Sequence, residues 1–304
     1  MRRQQRLIMR CAFTILLDEV AALSRRHQGD FVRSAVLLAL TQATRSGDPV
    51  AEATLSPVED RPVRAISVRA IAQSLGLPYE TTRRKVAELE VLGLCRRLGR
   101  LGVQASQEAL DGEWALAART ATWASLRRGV TDLRALGFDF GLVNHVSPQG
   151  GGSGRDLLAS VAALSDDFIL RLIEAGAAPH GSITNGAIAT AMLMINAEPL
   201  TRNPALAWRY AGAETPPPDA MRRPASITQI AARLALSHET VRRRVQGLVE
   251  DGWAVRTTGG YLYPAERMQS PQMMQVGLVT TQRFLQLLQA LRQLGVDLET
   301  VNAD

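Results

Sequence analysis

One stretch of this sequence occurs twice. SVRAIAQSLGLPYETTRRKVAELEVLGLCRR starts at Ser67, and SITQIAARLALSHETVRRRVQGLVEDGWAVR starts at Ser226, an ungapped offset of 226 − 67 = 159. Ser67, Ile71, Ala72, Leu75, Leu77, Glu80, Thr81, Arg83, Arg84, Val86, Leu89, Gly93 and Arg97 recur as Ser226, Ile230, Ala231, Leu234, Leu236, Glu239, Thr240, Arg242, Arg243, Val245, Leu248, Gly252 and Arg256. Self-similarity at a fixed spacing means one structural unit built twice. The likeness continues downstream, where LRALGFDF from Leu133 matches LRQLGVDL from Leu291 at offset 158, so one residue is gained or lost in between. It is weaker upstream, where FVRSAVLLALTQAT at Phe31 loosely resembles ITNGAIATAMLMINA at Ile183. A polar, Pro-containing stretch precedes each motif and reads as a connector. The Gly-rich run SPQGGGSGR (147–155) reads as a flexible linker. The expected organisation is a unit at 1–146 with its core motif at 61–106, the linker, and a unit at 156–304 with its core motif at 222–265.

Within the second motif, Ser226 caps a short helix with Ile227, Ile230, Ala231 and Leu234 on one face. Ser237 caps the next, with Glu239 in the first turn, where the helix dipole favours an anion. Val241, Val245 and Leu248 form its buried stripe, and Gly252 ends it. Glu239, Arg243 and Gln246 then project opposite the stripe, flanked by Thr240 and Arg242 and following His238. The matching positions of the first motif are Glu80, Arg84 and Ala87, flanked by Thr81 and Arg83 and following Tyr79. Such a face suits the major groove: Arg pairs bidentately with guanine, Glu accepts from cytosine, and Thr or Arg holds phosphate. Two features of the first motif depart from this pattern. Pro78 stands where the second has its capping Ser, and Thr82 stands in the buried stripe. WAVRTTGGYLYPA reads as a β-hairpin around Thr258-Gly259-Gly260, and LCRRLGRLGVQA as another with Arg100 at its tip. A basic hairpin of this kind reaches the minor groove.

The pattern I-A-x-x-L-x-L-x-x-E-T-x-R-R-x-V-x-x-L-x-x-x-G followed by a basic hairpin resembles winged helix-turn-helix transcription regulators of the bacterial type. The resemblance implies double-stranded DNA as partner, with the second helix as reader. It assigns DNA contact to Tyr79, Glu80, Thr81, Arg83, Arg84 and Lys85, with Arg97 and Arg100 in the wing. In the second motif it assigns His238, Glu239, Thr240, Arg242, Arg243, Arg244, Gln246 and the wing residue Arg256. The expected fold is mainly α with small β-hairpin wings: two tandem winged helix-turn-helix domains with flanking helices, related by a pseudo-twofold axis.

Charge agrees with an acidic polymer as partner. The chain of 304 residues has a formal net charge of +6. Residues 1–152 hold 21 basic and 15 acidic side chains, and residues 153–304 hold 14 of each, so the excess lies in the first half. Arg242–Arg244 alone would read as a solvated helix face; the same run at Arg83–Lys85 in the same motif favours contact. Arg2, Arg3, Arg6 and Arg10 read as solvated positions on a first helix, with a DNA-contacting arm as the alternative. Cys11 and Cys95 read as small buried hydrophobes, with no metal-ligand spacing or disulfide framework. His27, His145, His180 and His238 share no metal or catalytic spacing, and Trp114, Trp123, Trp208 and Trp253 read as core. No phosphate loop, nucleophile elbow or usefully spaced carboxylate pair is visible, so neither enzymatic activity nor a cofactor is expected. No signal peptide or apolar span is visible either, and the expected setting is cytoplasmic, without a membrane.

Two readers in one chain suggest a pseudo-dimer on an imperfect inverted repeat, since paired reading helices meet successive major grooves about 34 Å apart. Leu126, Val130, Leu133 and Leu136, with Phe284, Leu287, Leu288, Leu291 and Leu294, offer an apolar surface for that pairing. They are otherwise intra-domain core or a true homodimer interface. The alternatives in function are a plasmid-type replication initiator, which also uses two winged domains, and a winged protein-interaction subunit, whose usual acidic balance this chain lacks.

Overall fold

Ala- and Leu-rich segments, low in aromatics, make helix the default state of this chain. A computed structural model describes residues 4–45, 64–143 and 154–301. The described elements run α1 (Gln5–Arg26), α2 (Phe31–Arg45), α3 (Val68–Ser74), α4 (Tyr79–Val91), β1 (Cys95–Arg97), β2 (Val103–Ala105), α5 (Gln107–Asp111) and α6 (Glu113–Ala135). There follow α7 (Gly154–His180), α8 (Ile183–Thr201), α9 (Pro204–Arg209), α10 (Ile227–Leu234), α11 (His238–Glu250), β3 (Val255–Thr257), β4 (Gly260–Leu262), α12 (Ala265–Met268) and α13 (Pro271–Gln293). The only sheets among the described residues are two antiparallel hairpins, β1–β2 and β3–β4. The fold is thus mainly helical with small wings.

The chain forms two compact units, and neither is a consecutive half. One comprises α1 through Phe31, Asp132–Phe138 and Leu172–Phe284, and so contains the second motif. Its core gathers Leu7, Ile8, Ile15 and Leu17 of α1, Ile188 and Met192 of α8, and Ile230, Leu234, Val241 and Val245 of the motif, all nearly inaccessible to solvent. α8 packs on α1, α10 and α11, and α1 packs on α10. Arg233 of α10 ties the last pair together by an ion pair to Asp18 at 2.9 Å.

The other unit comprises Val32–Thr131, Asp139–Arg171 and Leu285 onward, and contains the first motif. Val36 and Leu40 of α2, Ile71, Leu75, Val86 and Leu89 of the motif, Leu126 of α6, and Leu288 and Leu291 of α13 are buried in it. Arg45 of α2 pairs with Asp166 of α7 at 2.8 Å and also donates to the Leu110 carbonyl at 2.8 Å. Burial pushes the Asp166 carboxyl above its ordinary pKa, against the lowering influence of Arg45.

These units do not follow the expected cut at 147–155. α1 was expected with the first motif, but its buried stripe and Asp18 serve the unit of the second. Gly154 and Arg155 of the expected linker open α7, and the linker's other residues lie outside those described. The N-terminal arginines also differ from a solvated face. Arg6 donates from Nε to the Gly212 carbonyl at 2.8 Å and from Nη2 to that of Ala213 at 3.0 Å, while Arg2 and Arg3 lie outside the described residues. Cys11 and Cys95 are free and buried. Of the tryptophans expected in the core, Trp253 is buried, whereas Trp208 is 41% exposed.

Candidate nucleic-acid interface

The second motif is fixed at its corners by side-chain caps. The Ser226 Oγ accepts from the Gln229 N–H at 3.2 Å, and the Gln229 Oε1 accepts from the Ser226 N–H at 2.9 Å, a reciprocal capping box. Ala235 turns the chain with φ +51°, and the Leu236 N–H returns to the Ala231 carbonyl at 3.1 Å. The Ser237 Oγ then accepts from the Thr240 N–H at 3.1 Å and starts α11. Val241, Val245 and Leu248 face inward, which leaves His238, Glu239, Arg242, Arg243 and Gln246 exposed.

In the first motif, Ser67 caps α3 through the Ala70 N–H at 3.1 Å. Pro78 begins α4 without a side-chain cap. Thr82 occupies the buried stripe fully, its hydroxyl bonded to the Pro78 carbonyl at 3.2 Å, which explains how a polar residue is tolerated there. Tyr79, Glu80, Arg83 and Arg84 are exposed.

The two exposed faces share an internal ion pair. Arg242 holds Glu239 through Nε at 2.9 Å and Nη2 at 2.8 Å. Arg83 holds Glu80 from Nε at 2.9 and 3.1 Å. In each case the hydrogen bond to arginine keeps the carboxyl below the ordinary carboxylate range. The arginine next along each helix is the projecting cation. Arg84 has only a long contact to Glu88 at 3.9 Å, and Arg243 has no hydrogen-bond or ion-pair partner among the described residues. The third basic residue turns inward. Lys85 bonds Glu88 at 2.8 and 2.9 Å, and Glu88 also meets Arg33 of α2 at 3.5 Å. Arg244 is half-buried with its Nε enclosed. Thr81 and Thr240 are half-buried on the flank, and Gln246 bonds Glu250 at 3.1 Å.

Each wing is closed by a residue that comes before the motif's first helix. Ile66 bridges to Val103, and Ala225 to Tyr261. These approaches require Gly102 and Gly260. A Cβ on either would lie 2.5 Å from the carbonyl oxygen of Ile66 or Ala225, and both have positive φ. The first wing carries a 3-10 turn, Gly99–Leu101, that exposes Arg100, and Arg97 on its strand pairs with Glu90 at 3.1 Å. The second turns through Thr258 and Gly259 alone, with Arg256 exposed on β3. The shorter turn accounts for the change of offset from 159 to 158.

Some basic positions escaped the sequence pattern. Arg64 and Arg223 are exposed ahead of the caps at the same offset, 223 − 64 = 159, and Arg69 is exposed in the first turn of α3. The repeat spacing carried the signal for the first two. Among the described residues, no cluster of three or more His, Cys, Asp or Glu side chains has metal-binding geometry, and no helix is long and apolar enough to cross a membrane.

Comparison of the chain with curated proteins, and with solved structures, returns no match. Residues 220–267, which contain the capped helix pair and wing of the second motif, match the family of DeoR-like helix-turn-helix domains and support a winged helix-turn-helix regulator that binds double-stranded DNA.

Proposed function

We propose that the chain is a sequence-specific transcription regulator with two winged readers, which arose by internal duplication and engage the two halves of an imperfect inverted repeat. It acts in the cytoplasm, carries out no catalysis and needs no cofactor. The observation that carries this reading is the pair of equivalent exposed helix faces, each with a Glu–Arg ion pair beside a projecting arginine, Arg84 or Arg243. The internal pair fixes one guanidinium and leaves the next free to reach a base edge.

Detailed correspondence outside the motif supports the duplication. The buried Ala105 N–H donates to Thr44 of α2 at 3.0 Å, and the Tyr263 N–H, at 263 − 105 = 158, donates to Asn196 of α8 at 2.9 Å. Thr44 and Asn196 are themselves 196 − 44 = 152 apart, the spacing between Phe31 and Ile183 that open their helices. α6 and α13 each span 23 residues, and two residues after each lies a glycine with positive φ, Gly137 or Gly295. Asp139 then accepts from the Gly141 N–H at 2.8 Å, and Asp297 from the Glu299 N–H at 2.8 Å. The exposed faces differ at Tyr79/His238 and Ala87/Gln246, which favours unlike half-sites.

Genome-wide mapping of bound sites tests this reading. Promoter-proximal sites with two related, unequal half-sites are the expected result. Tandem repeats at an origin would replace the regulator with an initiator, and binding without sequence preference would overturn specific reading.

A further inference from the structure

The unit that holds the second motif contains a cavity of about 110 Å³, lined by α1, α8, α9, α12 and α13. Five of the chain's eight methionines line it, which makes an apolar and adaptable wall. One enclosed water needs about 10–15 Å³ of such space, so the cavity suits roughly eight to ten non-hydrogen atoms. Arg6, Arg10 and Arg222 also line it, and no acidic side chain does.

The charge in that wall is incompletely matched. Arg222, with a side chain 1% exposed, pairs with Asp219 and reaches the Met268 sulfur at 3.5 Å, and its buried Nε meets no protein acceptor. Arg6 is satisfied by two backbone carbonyls and no carboxylate. Burial and the nearby Arg222 lower the Arg6 pKa to about 10. Arg10 has Asp132 as its opposing charge. Two neighbouring cations thus share one carboxylate against an apolar surface, which favours an added anion. Arg6 keeps unused N–H donors to receive one.

The cavity adjoins the reader's supports. Arg222 lies three residues before Ala225, which bridges to the wing at Tyr261. The same Asp219 oxygen that meets Arg222 accepts from the Ala265 N–H at 3.1 Å, at the start of α12 just after the wing.

We propose that this cavity binds a small apolar monocarboxylate, its chain among the methionines and its carboxylate against Arg6 and Arg222, and that occupancy alters DNA affinity at the second motif. The site stands on its own; only its effect on DNA rests on the function proposed above. Calorimetry on the full chain with octanoate, against octanol as the uncharged counterpart, tests the site. Octanoate should bind at least tenfold more tightly than octanol. Arg6→Gln should weaken octanoate at least tenfold in a chain that still unfolds cooperatively, and Met194→Trp should fill the space and abolish binding. Absence of octanoate binding at millimolar concentration, equal affinity for octanol, or undiminished binding to both variants would overturn it. Saturating octanoate should shift affinity for a mapped DNA site at least threefold. Octanoate binding without that shift would overturn the coupling alone. A chain that takes octanoate but binds no DNA would defeat the regulator reading and leave the site standing.

Discussion

Asn196 is a single buried side chain that supports several backbone segments. Its Nδ2 donates to the carbonyls of Arg223 at 2.8 Å and Tyr261 at 3.1 Å, and its Oδ1 accepts from the Tyr263 N–H. Asn196→Ala would strand the Arg223 carbonyl and the Tyr263 N–H and should cost about 2–3 kcal/mol, read by urea unfolding. Thr44→Ala, which strands one N–H, should cost about 1–2 kcal/mol. His180 adds a pH dependence. Its Nδ1 bonds the Gly176 carbonyl at 2.7 Å, so Nδ1 carries the proton and Nε2 accepts from the Tyr263 hydroxyl at 3.2 Å. Burial lowers its pKa from the ordinary 6.5. Below that pH the unfolded chain takes up a proton that the folded chain refuses, so stability is full above pH 6.5 and falls as pH drops towards the folded value. His180→Phe should flatten that part of the profile when unfolding is followed at several pH values. If the exposed faces of α4 and α11 read bases as proposed, Arg84→Ala or Arg243→Ala should each cost about 1–3 kcal/mol on specific DNA, measured by titration. These roles differ in legibility. The cap at Ser237 and the arginines could be read from spacing, whereas nothing around His180 or Asn196 in the sequence announces which backbone groups they satisfy.

At the scale of elements, the helix pairs followed from periodicity and caps, because those signals lie within a few residues of one another. The inward turn of Lys85 did not. A run of three basic residues spans about 200° of helix, so one of them must leave the exposed face, and Lys85 does so against Glu88. The residue that bridges to each wing, Ile66 or Ala225, was likewise hidden, since a single bridging residue has no alternation to read. Gly260→Ala sets a Cβ 2.5 Å from the Ala225 carbonyl at φ +147°. It should destabilise the second wing by about 1–3 kcal/mol, visible as a lowered melting temperature. The first wing tip should act differently. Arg100→Ala should weaken binding across sequences alike and reduce the salt slope by about 1, without changing stability.

At the scale of the molecule, the sequence repeat and the compact units answer different questions. Repeat spacing records where each copy lies along the chain, and packing decides which helix completes which core. Asp18 on α1 pairs with Arg233, and Asp166 on α7 with Arg45, and no local pattern assigns those partners. A fragment ending at residue 146 therefore lacks 154–171 and 285 onward from the unit of its own motif. Expressed alone, it should show no cooperative unfolding transition by circular dichroism, whereas the full chain should. The interleaving also bears on biosynthesis. The unit of the first motif depends on residues 285 onward, so it cannot close until they have left the ribosome. The second depends on α1, which must wait until residue 284 has emerged. Neither unit is complete until the segment around residues 284–285 has emerged, so a product terminated well before it carries neither motif in a finished core.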